Sequence, residues 1–235
     1  MLSPRPATLL AGVLMAAGLA LAGAAARQSL YVSVGLAVCI LAYDAVLKST
    51  PLGPVAMGTC RFLNVMLGAS AYDTTFSVWT TPQTYIAAAM GVYVAGVTWF
   101  ARNEASRSGR GPLAGAAAVI NVGLAALCAF VVRELLPPLV PAMARIAGPA
   151  GGGGDARSAL ILLAVVIFTI NRRVFRALGE PEPAKVQDAV KVMLLSLVTL
   201  DAAIVYFKTG DPYYTFGTIA LLAPAMLLGR WIFIT

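Results

Sequence analysis

Histidine is absent from this sequence. Its absence excludes histidine-based acid/base catalysis, Ser-His-Asp triads and histidine metal sites in one step. Charge is scarce too: Asp, Glu, Lys and Arg together make up 11% of the chain against 60% apolar residues, too little to solvate an ordinary soluble domain. Acid is scarcer than base, with ten carboxylates against seventeen Lys and Arg. Nothing before Asp44 is acidic. The basic excess is spread singly between apolar runs and forms no patch interleaved with aromatics, which argues against nucleic acid as a partner. Anionic lipid headgroups and a phosphorylated substrate account for it better. Only three cysteines occur, Cys39, Cys60 and Cys128, all within apolar runs. Their number is odd and no pair has metal-ligand spacing, so they read as small buried hydrophobes.

What the chain does have is long apolar runs. They predict an all-α fold, a polytopic transmembrane helical bundle of about eight spans forming one domain over 1–235. The spans fall at 7–25, 30–47, 55–70, 85–101, 112–136, 159–174, 190–207 and 213–234. The first also has the features of a secretory signal, since Arg5 precedes it and AGAAA offers a small-residue cleavage site. Gly58, Gly68 and Ala56 give the third span the small residues that close helix contacts in lipid prefer. After Pro137, Pro138 and Pro141, the glycine-rich segment at about 147–157 reads as a flexible loop without a function of its own.

Polar residues inside such runs are the candidates for function, because each costs about 2.5–3.5 kcal/mol on insertion scales. The richest stretch is YDAVLKSTPLGPVAMGTCRFLN, residues 43–64. Asp44 and Lys48 sit four apart at the end of one run, Pro51, Gly53 and Pro54 break the backbone, and Arg61 and Asn64 share a helical face in the next run. A second polar stretch, TWFARNEASRSGR at 98–110, closes a later run. Lys48, Arg61 and the Arg102, Arg107, Arg110 group suit a diphosphate. Snorkelling to headgroups is the plainer reading of Lys48 and Arg102. Arg61 lies deeper and calls for a partner, Asp44 or Asp201, whether that pair is functional or structural. Glu104 could hold one magnesium ion through substrate phosphates, or simply balance Arg102 and Arg107. Lys185, Asp188 and Lys191, at i, i+3 and i+6, read as a solvated face.

Alternating eight spans across a membrane puts Arg5, Lys48, Arg102, Arg107, Arg110, Arg172, Arg173, Arg176, Lys185, Lys191 and Arg230 on one face, with only Arg27, Arg133, Arg145, Arg157 and Lys208 on the other. The positive-inside tendency makes the first face cytoplasmic, and both polar stretches fall on it. The expected location is the inner or plasma membrane, with the active-side loops in the cytoplasm.

Tyr43, Lys48, Pro54, Gly58, Arg61 and Asn64, the TWFAR segment with Glu104, and the closing VQDAVK and GRW resemble the UbiA superfamily of intramembrane prenyltransferases. The closest look is to its EboC-like branch, in which a YDxxLK, GP, CRxLN pattern stands in the same order. The resemblance covers nearly the whole chain. It implies a helical bundle around a cavity open to lipid, an isoprenyl diphosphate and a lipid-soluble acceptor as partners, and magnesium (Mg) held by two acidic motifs. By position, Lys48 would contact the diphosphate with Tyr43, Asp44 and Arg102 nearby, Arg61 and Asn64 would line the cavity, and Glu104 would stand for the second acidic motif. The first motif, an Asn-Asp with spaced Asp residues, has no counterpart here. The family enters its third helix through a segment resembling LSPRPATLLAG, so the chain is expected to lack two N-terminal helices. The expectation is therefore a prenyltransferase, inactive as given if the first motif is truly missing. The alternative is a non-catalytic membrane protein that binds or moves a lipid-like metabolite, and a secondary transporter is weaker for want of matched broken helices.

Overall fold

A computed structural model of the chain describes residues 4–70, 79, 82–102, 109–133, 153–224 and 226. Among the described residues every regular element is helical. The order is α1 (Pro4–Ala25), α2 (Arg27–Ala45), a 3-10 turn η1 (Leu47–Ser49), α3 (Gly53–Ser70), α4 (Pro82–Ala101), α5 (Arg110–Val132), α6 (Ala156–Gly179), α7 (Pro183–Thr209) and α8 (Pro212–Ala220). Six of these are long and apolar enough to cross a membrane: α1, α2, α4, α5, α6 and α7. The chain is an all-α, polytopic membrane protein.

Two of the eight expected spans stand outside that set. Arg61 and Asn64 dilute the apolar character of α3, and α8 is nine residues long, with most of the rest of 213–234 outside the described residues. The fifth span ends at Val132, and 134–136 lie outside the described residues. The sixth and seventh helices run well beyond their apolar cores. The arginines closing α6 and the VQDAVK segment opening α7 are helical as well.

The chain divides into two compact units, Met1–Ala95 and Gly96–Thr235, with the boundary inside α4. In the first, α2 and α3 form a closely packed antiparallel hairpin, and α1 packs on α2. Ser29 and Ser70 face each other at the start of α2 and the end of α3, the Ser70 hydroxyl donating to Ser29 Oγ at 3.0 Å. Val32, Met66 and Ala87 form the buried nucleus. Lipid tails are as apolar as leucine, so helices associate in a bilayer by close packing. Gly58 of α3 illustrates it: a Cβ there would lie 2.5 Å from the Gly91 carbonyl oxygen of α4. Gly68, expected to act alike, faces open space. Leu9, Leu10, Val13, Leu14 and Leu21 of α1 are all exposed, as lipid-facing side chains are.

In the second unit the core is built from three helical stripes. Leu113, Ala116, Ile120, Leu124 and Leu127 of α5 recur at three- and four-residue intervals, as do Val186, Val190 and Met193 of α7, and Leu163, Ile170 and Val174 of α6 follow at seven and four, every one of them buried. At the far end of α5 and α7, Phe130 and Phe207 meet edge to face with ring centroids 5.8 Å apart. Arg133 and Lys208 lie over the Phe130 ring at 4.4 and 5.1 Å.

Residues 147–152 of the glycine-rich segment lie outside the described residues, but 153–157 are not the flexible loop that composition suggests. The Gly153 and Gly154 amides donate to the Lys208 and Phe207 carbonyls, which the end of α7 would otherwise leave unsatisfied. Gly210 ends α7 in the left-handed conformation (φ 66°), its amide bonded to Tyr206 O. A Cβ at Gly154 would lie 2.2 Å from Tyr206 O, so only glycine lets these backbones meet. Asp155 then caps α6.

Candidate functional site

The α2–η1–α3 corner is where the first polar stretch folds. Helix α2 ends just past Asp44, and a turn stabilised from within follows. The Thr50 amide and hydroxyl both donate to Leu47 O at 3.0 and 2.9 Å, and the Ser49 hydroxyl donates to Val46 O. Gly53 allows α3 to start directly against this turn, since a Cβ there would lie 2.9 Å from Leu47 O. The turn presents Lys48 outward, with its side chain exposed.

The register of the hairpin fixes the remaining positions. Ser29 meets Ser70, and Cys39 meets Cys60 with the sulfurs 3.2 Å apart. Each pair sums to the same residue number, so residue 44 faces residue 55 across the hairpin. Asp44 is exposed at that level. Arg61 is half-buried and lies six residues, about 9 Å of helix rise, further along α3. Asp44 and Arg61 therefore belong to different levels of the hairpin. Asn64 is exposed one turn beyond, and Tyr43 is half-buried beside Asp44.

The hairpin thus gathers Tyr43, Asp44, Lys48, Arg61 and Asn64 into one element pair, in two tiers. Asp44 and Lys48 belong to the corner, and Arg61 and Asn64 lie deeper. Arg102 is exposed at the end of α4 and belongs to the second unit, as does the half-buried Asp201 of α7. Glu104 and Arg107 lie outside the described residues. Among the described residues no three His, Cys, Asp or Glu side chains come close enough to hold a metal ion. Asp44 is the one carboxylate described in the first unit.

Two polar arrangements escaped the sequence. The cysteines taken singly as buried hydrophobes include a touching pair, with the Cys39 thiol also 3.5 Å from Ala56 O. Neither chain spacing nor composition signals a pair 21 residues apart. In the second unit, Asn121 of α5 and Asn171 of α6 exchange two amide hydrogen bonds, each 3.0 Å. Each Nδ2 also donates to the carbonyl four residues back, Ala117 O and Ile167 O, so both amide hydrogens are used. Two lone asparagines in separate apolar runs were the available signal.

No family model, curated protein or solved structure matches this chain.

Proposed function

We propose that this protein is a UbiA-like membrane prenyltransferase that receives an isoprenyl diphosphate at the α2–η1–α3 corner and transfers the prenyl group to a lipid-soluble acceptor. One observation carries the reading. The rigid turn holds the Lys48 ammonium exposed beside an apolar helical hairpin whose own α3 carries Arg61, so cations and lipid-facing wall occur together. In the proposed reaction the allylic carbon to oxygen bond breaks and the diphosphate leaves with the electron pair. The acceptor then attacks the allylic carbocation and loses a proton. Lys48 would stabilise the departing diphosphate, and the apolar surroundings would keep water from the cation. The magnesium that the resemblance implies would depend on Glu104 and on acidic residues beyond those described, and would supply further positive charge to the leaving diphosphate. The proposed location is the inner or plasma membrane, with the corner on the cytoplasmic side.

The shortage of carboxylates favours a second reading, a non-catalytic protein that binds or moves a lipid-like metabolite bearing an anionic head. One experiment separates the two. Membranes containing the protein are supplied with a radiolabelled allylic diphosphate, magnesium and a panel of lipid-soluble acceptors. Release of diphosphate supports the transferase, whereas saturable binding without release supports the binder. Absence of both overturns the site.

A further inference from the structure

The end of α6 and the start of α7 border an open cavity of about 560 Å³ in the second unit. Arg173, Arg176 and Phe175 of α6 line it, with Lys185, Asp188 and Glu180 from the connection and the start of α7. Lys185 is already neutralised, since its ammonium pairs with Glu180 and, at 3.2 Å, with Glu182. Arg110, at the start of α5, is also engaged: its Nη2 donates to Gly179 O at 3.1 Å and ties the start of α5 to the end of α6. The residues lining the cavity set Arg173, Arg176 and Lys185 against Glu180 and Asp188, an excess of one positive charge, and the two guanidinium groups are three apart and so on one face of α6. Among the described residues neither arginine makes an ion pair or side-chain hydrogen bond. The cavity therefore carries a net positive charge from planar, multiply donating groups, which match a phosphate oxygen pair. Asp188 suits a hydrogen-bond donor attached to that phosphate.

What lies next to the cavity identifies the rest of the ligand. Phe175 is 65% exposed, and Phe168, Val165 and Ile161 are exposed at helical intervals below it, so an apolar stripe runs from the cavity along the membrane length of α6. A soluble phosphate would have no use for that stripe. We infer that the α6–α7 end is a binding site for the phosphate of a phospholipid whose head carries a hydroxyl or amine, with the acyl chains lying along the Phe175 to Ile161 stripe. The site is independent of the corner and of the transferase reading.

The test is native mass spectrometry of the full chain in neutral detergent with added phosphatidylglycerol, and with phosphatidylcholine as the headgroup that lacks a donor. Wild type is expected to retain phosphatidylglycerol at least tenfold more strongly, and Arg173→Gln/Arg176→Gln to abolish the preference. Arg157→Gln, at the opposite end of α6, should leave it intact. Phe175→Ala should weaken the lipid while sparing any binding of inorganic phosphate. Lipid displaced by millimolar inorganic phosphate, with Phe175→Ala behaving as wild type, would support the two-arginine phosphate site but overturn the lipid as its source. Equal retention of the two lipids by wild type would overturn the site itself, whether or not the double variant folds.

Discussion

At the scale of single residues, the polar groups that matter are those whose partners can be named. Asn121 and Asn171 saturate each other's amides inside an apolar helix pair, so Asn121→Leu leaves the Asn171 amide without its cross-helix partner. The expected cost is about 0.5–2 kcal/mol. Unfolding of the single and double leucine variants in detergent measures it, and the double variant should recover most of the loss. Asp155 makes a different prediction. Hydrogen bonds from the Ser158 hydroxyl (2.8 Å), the Ser158 amide (3.0 Å) and the Arg157 amide (3.2 Å) hold its carboxyl below the usual carboxylate range. A depressed acid stabilises the fold above its unfolded value, about 3.9, and loses that contribution as pH falls through its folded value. Protection of the first-turn amides of α6, taken relative to their intrinsic exchange rate at each pH, should fall as pH drops below about 4. Asp155→Asn, which keeps a capping oxygen without titrating, should flatten that response. Cys39 and Cys60 give a third. Diamide, taking up the two protons and two electrons of the thiols, should link them, which is read as the loss of two alkylatable thiols. Cys128→Ser should not alter that loss, and Cys60→Ser should abolish it.

At the scale of elements, packing is decided by backbone approach. Gly58 and Gly91 bring α3 and α4 together where a Cβ cannot fit, while Gly68 on the same helix meets nothing within 4 Å. Gly58→Val is therefore expected to destabilise the protein by about 1–3 kcal/mol, as overpacking does. Gly68→Val should stay close to wild type in thermal unfolding. The α2–α3 hairpin shows a second consequence. Its register separates Asp44 from Arg61 by about 9 Å of rise, although both occur in one short polar stretch of sequence. Nearness in the chain was a poor guide because the turn between them is spent on reversing direction.

For the whole molecule, the transferase reading predicts that charge removal acts on the diphosphate and spares the fold. Lys48 is exposed and its turn is held by Ser49, Thr50 and Gly53, so Lys48→Ala should leave thermal unfolding unchanged. Binding of a labelled isoprenyl diphosphate should weaken about tenfold, as loss of one charge-assisted contact implies. Lys48→Arg should restore part of it. Unchanged binding in Lys48→Ala would remove the corner from the substrate site.

Sequence alone determined that the chain is a bundle of membrane helices, because hydropathy and run length are local properties that tertiary packing does not alter. It also marked Tyr43, Asp44, Lys48, Arg61 and Asn64, since a charge in an apolar run is conspicuous without a fold. Only the tertiary structure decided which of these share a level, which cysteines touch, which asparagines pair and which arginines line a cavity. Helix register follows from the fit of whole surfaces, set by glycines such as Gly58 and turns such as that at Gly53, and no single run carries that information. The same limit explains the glycine-rich segment: Gly153 and Gly154 are ordered by carbonyls at the end of α7, more than fifty residues further along the chain.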